Sequence, residues 1–133
     1  MATHSPSALI DTDILIDNIR GVARASTFLV QQRTTGPLHT GVVSAMELVI
    51  GCGNSRDLRI VQVLLSEFVV MPLEADSSSE AHALVERFFL SHGLLIADAL
   101  IAASAIRGGM TLFTKNVRDF QMIPGLSVVR PYQ

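Results

Sequence analysis

Asp98 is the one charge between Leu94 and Ile106, a stretch of thirteen residues that is otherwise apolar or small. A helix so apolar is buried nearly all round. An isolated carboxylate there costs several kcal/mol unless it is paired, metal-bound or protonated. Asp11 keeps similar company, with Ala8-Leu9-Ile10 before it and Thr12-Asp13-Ile14-Leu15-Ile16 after it. Glu47 follows Ser44 by three positions, and Asn116 and Asp119 follow the apolar run that ends at Thr114. Each acid has a plainer reading when taken alone. Asp98 suits the first turn of a helix, where the macrodipole favours an acid. Glu47 with Ser44 fits a capping box. Asp13 and Asp17 suit solvated or turn positions, and Asp119 suits a turn cap. Together the acids say more. Carboxylates brought together repel, and their pKa values rise unless a cation sits among them. An all-oxygen donor set suits Mg²⁺ or Mn²⁺. Such an ion activates a water and stabilises charge on a phosphate.

The elements that must position these acids alternate along the chain. Short apolar strands are expected over residues 7–11, 38–43, 68–71, 110–114 and 126–129. Helices are expected over 22–32, 44–50, 56–67, 78–92 and about 97–107. The helix over 78–92 carries Ala81, Leu84, Val85, Phe88 and Phe89 on one stripe, and Ser77 with Glu80 reads as its capping box. In the helix over 22–32 the inward face is expected to hold Val22, Ala25, Leu29 and Val30. Gly108-Gly109 stops the helix before it. Strands alternating with helices imply a mostly parallel sheet covered on both faces. In such sheets ligands bind at the carboxyl ends of the strands. Asp11, Glu47, Asp98, Asn116 and Asp119 all fall on that side.

Other chemistries find little support. The single cysteine, Cys52, has no partner for a disulfide and no zinc-ligand spacing, which suits a reducing compartment. His4, His39, His82 and His92 are scattered, and His82 with Glu86 makes an i, i+4 surface pair. No glycine-rich phosphate loop opens a helix. The polar N-terminus does not read as a signal peptide, and no apolar run reaches the about 18 residues of a membrane span. A cytoplasmic protein is expected. Lys+Arg number 10 against 12 Asp+Glu, a net charge of −2 that provides no basic footprint for tight nonspecific nucleic-acid binding. Lys115 is the only lysine in the chain.

Four segments carry a family resemblance. Residues 9–17, Leu-Ile-Asp-Thr-Asp-Ile-Leu-Ile-Asp, resemble the opening of a PIN domain, where an apolar strand runs into an Asp-Thr-Asn motif and an apolar helix. Residues 43–51, Val-Ser-Ala-Met-Glu-Leu-Val-Ile-Gly, are similar to its second motif. Residues 98–105, Asp-Ala-Leu-Ile-Ala-Ala-Ser-Ala, are similar to the third and are the most specific. Residues 112–120, Leu-Phe-Thr-Lys-Asn-Val-Arg-Asp-Phe, resemble the last. The chain resembles the VapC toxins of bacterial toxin–antitoxin pairs within that family.

The resemblance implies a single α/β domain over 1–133: a PIN-like three-layer fold with a mostly parallel central sheet of four to five strands flanked by helices. It implies an endoribonuclease dependent on Mg²⁺, with Mn²⁺ as the alternative. Asp11, Glu47 and Asp98 match the acids that hold the metal. Some members place an aspartate at the position of Asn116; in this chain Asp119 is the nearest acid and is expected to complete the set directly or through water. Asp13 departs from the commoner Asn or Ser, and either adds charge to the site or only forms hydrogen bonds. Thr12, Ser44 and Thr114 are expected to orient the carboxylates through their hydroxyls. An RNA substrate, a VapB-like antitoxin and a homodimer are the implied partners. Two other readings stay open. A catalytically silent PIN domain would bind RNA or a protein only. A haloacid-dehalogenase-like phosphatase would use Asp11-Thr-Asp13 with Lys115, but no acidic pair follows that lysine.

Overall fold

The computed structural model describes residues 7–133; His4 and the polar N-terminal stretch lie outside them. Five strands are formed by Ala8–Ile10 (β1), Leu38–Gly41 (β2), Val69–Met71 (β3), Thr111–Phe113 (β4) and Ser127–Val129 (β5). Six α-helices join them: Thr12–Ile19 (α1), Ala23–Arg33 (α2), Val42–Ile50 (α3), Ser55–Leu65 (α4), Ala75–His92 (α5) and Ile96–Gly108 (α6). A single 3-10 turn, Val117–Asp119, follows β4. The strands form one sheet in the order β3-β2-β1-β4-β5, and every pairing is parallel. β1 is central, with Ala8 opposite both Leu38 and Thr111. The fold is therefore the expected three-layer α/β arrangement, with five parallel strands among the described residues.

Two apolar cores lie on the two faces of the sheet, as the two-residue period of a strand requires. Leu9 and Leu112 point to one face, where they meet Val43 and the buried stripes of α5 and α6. Ala8 and Ile10 point to the other and pack with Ile14, Leu15, Phe28, Leu29, Leu48 and Val61. The central strand β1 is buried at every residue, whereas the edge strands β3 and β5 are largely exposed. On α6, Ala99, Ala102, Ala103 and Ala105 are fully buried. These small side chains let the helix approach its neighbours closely from Ala99 to Ala105, whereas Leu95 and Ile96 at its start are exposed, against the expectation of burial nearly all round. The helix ends at Gly109, in the left-handed region at φ 61°.

Several local expectations are corrected. The helix over Ala75–His92 starts three residues earlier than its apolar stripe suggests, with Glu74 at its N-cap and no side-chain cap. Ser77 is buried inside its first turn, so Ser77 and Glu80 form no capping box. Phe89 faces solvent rather than the core. In α2 the inward face is Ala25, Phe28 and Leu29, while Val30 is exposed. The aromatic ring of Phe28 takes an inner position, where it packs on Phe113 on the same face of the sheet at a centroid distance of 5.0 Å. The helix over Thr12–Ile19 was legible through the family resemblance rather than from periodicity.

Leu112 is fully buried in the central layer. Leu112→Ala is expected to lower stability by about 2–5 kcal/mol, the usual cost of a cavity of this kind. The check is a lower midpoint of urea unfolding at an unchanged slope; an unaltered midpoint would contradict the packing described.

Candidate active site

The chain leaves β1 toward β2 and β3 on one side, then crosses back to β4 on the other side of β1. The order reverses between β1 and β4, and at that switch point the loops diverge and open a crevice. Asp11 immediately follows β1, and Thr114, Lys115 and Asn116 immediately follow β4. The Asp11 backbone N–H still donates to the Phe113 carbonyl at 3.0 Å, so the residue is tied to the sheet as the chain turns into α1. It is also the N-cap of α1, in the extended conformation caps adopt, and its carboxylate accepts from the Thr12 N–H at 2.8 Å.

Hydroxyls and amides frame the acids. The Thr114 hydroxyl, fully buried, donates to Asp11 Oδ2 at 2.8 Å and lies 3.3 Å from Asp13 Oδ2. The Lys115 backbone N–H donates to the same Asp13 oxygen at 2.8 Å, and the Asn116 N–H donates to Thr114 Oγ1 at 3.0 Å. On the far side of α1, the Thr12 hydroxyl donates to Glu47 Oε1 at 2.8 Å and ties α1 to α3. Asp13 Oδ1 is buried with no protein partner.

The charges oppose one another. Asp11 is pushed from the ordinary 3.8 to about 7, first by burial and then by the charge of Asp13, against the lowering effect of Thr114 and Thr12; Asp98 adds to the rise. Asp98, half-buried in the first turn of α6, is pushed up to about 6 by burial and then by Asp119, Glu47 and Asp13. Asp13 is raised by burial, partly offset by the Lys115 N–H. Five acids from four elements and one loop therefore share one electrostatic environment, in which each charge raises the cost of the others. Among the described residues, no three His, Cys, Asp or Glu side chains gather closely enough to hold an ion by themselves. Mg²⁺ usually keeps several waters and takes one or two carboxylates beside substrate phosphates, so an open set of oxygens suits it.

The profile of the PIN domain matches residues 8–126. The chain belongs to the PIN-domain family. Among its relatives, ribonuclease VapC10 of Mycobacterium tuberculosis is 38% identical over 119 residues, covering 89% of each chain. Ribonuclease VapC19 of the same organism is 33% identical over 120 residues, covering 89% of this chain and 95% of the relative. A toxin–antitoxin complex from Klebsiella pneumoniae contains a chain of the same fold, with a TM-score of 0.79 and 31% identity over 96% of this chain and 99% of that one.

Within this PIN domain most of the acids expected from the sequence share the crevice. Asp119 stands in the 3-10 turn with its charge acting on Asp98, whereas Asn116 reaches the site through its backbone N–H. Ser44 is a correction: it is buried inside α3 and its hydroxyl meets no carboxylate. Gly41 is the N-cap of that helix, so Ser44 and Glu47 form no capping box either. Asp17 is neither solvated nor in a turn; its carboxylate takes the Lys115 ammonium and the Tyr132 hydroxyl, each at 2.7 Å, and Lys115 holds its pKa down. Lys115 and Tyr132 were missed as neighbours of the site. The lone lysine was the only signal, and nothing in its spacing showed that Tyr132 would come back to it.

Asp11 and Asp98 bind a proton more tightly in the folded chain than in the unfolded one. Their contribution to stability is therefore greatest at low pH and is lost as pH rises through their folded values of about 6 and about 7. The melting temperature of the metal-free PIN domain is expected to fall from about pH 5 to about pH 8, and Asp98→Asn to raise it at the upper end. A melting temperature that climbs over that range would rule out the repulsion described.

Proposed function

We propose that this PIN-domain chain is a metal-dependent endoribonuclease, the toxin of a VapBC-type pair, acting in the cytoplasm as one domain. One observation carries the reading: mutually repelling carboxylates, with Asp11 and Asp98 raised toward neutrality, sit at the open switch point of the sheet. The relatives named ribonuclease VapC support it.

Asp11, Glu47 and Asp98 would hold Mg²⁺ or Mn²⁺, with Asp119 completing the set. When bound, the ion supplies charge neutralisation at the scissile phosphate and a more acidic attacking water. Thr114 and Thr12 hold Asp11 and Glu47 in place through their hydroxyls. Asp13 lends charge and fixes the loop after β4 through the Lys115 N–H. The net charge of −2 leaves RNA binding to the ion and local arginines rather than to a broad basic face.

A groove of about 280 Å³ between α1, α3 and α4, lined by Ile16, Ile19, Leu48, Ile60 and Val61, borders the acids through Glu47. It suits the apolar side of an antitoxin segment, whose arginine would pair with the carboxylates and compete with the ion. The Klebsiella relative is itself part of a toxin–antitoxin complex. The exposed Phe89, Leu90, Leu95 and Ile96 at the α5–α6 junction form an apolar surface that suits a second copy of the chain. Light scattering at about tens of micromolar is expected to show a dimer; a monomer there would remove that part of the reading.

Purified protein is expected to cleave single-stranded RNA with Mg²⁺ or Mn²⁺ and to stop on addition of chelator. Asp98→Asn and Asp11→Asn should each lower cleavage by about a thousandfold or more while the fold survives, since each removes a ligand charge. Expression alone should arrest growth, and a co-expressed cognate antitoxin should relieve the arrest. Full activity in either variant would sink the assignment, and RNA binding without cleavage would favour a silent PIN domain.

A further inference from the structure

Lys115 is gripped at three points, none of which belongs to the set of acids assigned to the ion. Its backbone N–H donates to Asp13 and its ammonium to Asp17, while its carbonyl accepts from the Arg130 guanidinium. Asp13 and Asp17 are four residues apart on α1 and so share a face. One lysine therefore spans a full turn of that helix, with its amide on the carboxylate nearer the site and its ammonium on the farther one. The Tyr132 hydroxyl donates to the same Asp17 oxygen at 2.7 Å. The Arg130 Nε donates to the Tyr132 carbonyl at 3.0 Å, and the Tyr132 ring packs against Phe28, which in turn meets Phe113. Phe113 and Lys115 are the two neighbours of Thr114: the segment after β5 holds Lys115 directly through Arg130 and reaches Phe113 through Phe28. The family match stops at residue 126, short of Arg130 and Tyr132.

From this geometry we infer that Asp17, Lys115 and Tyr132 form a clasp that positions the 114–116 segment, and so keeps the Thr114 hydroxyl on Asp11 and the Lys115 amide on Asp13. The inference rests on the nuclease reading for its consequence and on the contacts for its substance. The clasp does two things. It fixes the donor that orients a buried carboxylate, where small displacements cost rate steeply. It also commits the one ammonium near the site to Asp17. Released, that flexible ammonium would be free to fold back on Asp13, one turn closer, and compete with a cation. The pair is only partly exposed, with 30% of the Lys115 side chain and 13% of the Asp17 side chain accessible, so solvent weakens it less than it would a surface pair. Asp17, Lys115 and Tyr132 are positioning residues: none is placed on substrate or ion.

The test uses Tyr132→Phe, which keeps the ring on Phe28, and Lys115→Met, which keeps the stem. The two readouts are amide hydrogen exchange at residues 115 and 116, and kcat and KM on single-stranded RNA with Mn²⁺. Each variant is expected to speed exchange at those two amides by about tenfold, the worth of one hydrogen bond to a charged group, while amides within β1 and β4 keep their protection. Each should lower kcat by about tenfold at a KM within about twofold, as loss of alignment rather than of binding requires. Because both act through Asp17, the double variant should cost little more than the worse single one, and Lys115→Arg should recover most of the rate. Unchanged exchange overturns the clasp, and so does faster exchange at an unaltered kcat. A raised KM at constant kcat overturns it in favour of Lys115 as a phosphate contact. If wild-type protein cleaves no RNA, the nuclease reading fails, and the exchange rates still decide whether the clasp holds the segment.

Discussion

The hydrogen bond from the Thr114 hydroxyl to Asp11 joins residues 103 positions apart and ties the end of β1 to the loop after β4. A carboxylate with 6% of its surface accessible has lost nearly all of its water. It needs donors fixed by the fold, because an unpaired buried charge costs more than the marginal stability of a domain can spare. Thr114 and the Thr12 N–H are those donors. They exist as a pair only because β1 and β4 are adjacent and parallel, in register from Ala8 opposite Thr111 to Ile10 opposite Phe113. The long detour through β2, α3, α4, β3, α5 and α6 serves to bring Asp98 and Glu47 back to the same mouth.

The compensation is incomplete, and that is chemically useful. Two donors do not offset burial and the charges of Asp13 and Asp98, so Asp11 stays well above the ordinary carboxylate range. A site in this condition favours a cation or a cationic side chain, and either relieves the same repulsion. On the proposed reading, activity with a bound cation and inhibition by a partner's arginine would thus rest on one feature of the site. Lys115 is the chain's own ammonium in this neighbourhood, and its pairing with Asp17 leaves the acids nearer the crevice without a built-in counter-ion.

Much of this was legible in the residues. The lone charge in the stretch 94–106 pointed to Asp98, because burial of an acid among alanines and isoleucines demands a reason. The alternation of strands and helices was enough to expect a parallel sheet with its site at the carboxyl ends. The local hydrogen-bond readings fared worse. Ser77 with Glu80 and Ser44 with Glu47 have capping-box spacing, yet α5 and α3 begin earlier, at Ala75 and Val42, and leave both serines inside a helix. A cap motif specifies a helix start only when tertiary packing does not extend the helix past it. The inward face of α2 shifted for a similar reason: Phe28 meets Phe113 and Tyr132, and that distant aromatic contact outweighs Val30.

By itself, the sequence determined most of the element types, the two-faced apolar pattern of the central strands and which acids could not be ordinary surface groups. These are local properties, readable from period, composition and the cost of burying charge. Only the tertiary structure decided which donors meet which carboxylates. Thr114 on Asp11, Thr12 on Glu47, and Lys115 with Tyr132 on Asp17 link residues between 35 and 115 positions apart. Contacts of that range depend on strand order and register. Those follow from how the whole chain buries its apolar surface, and no window of residues around a single acid contains them.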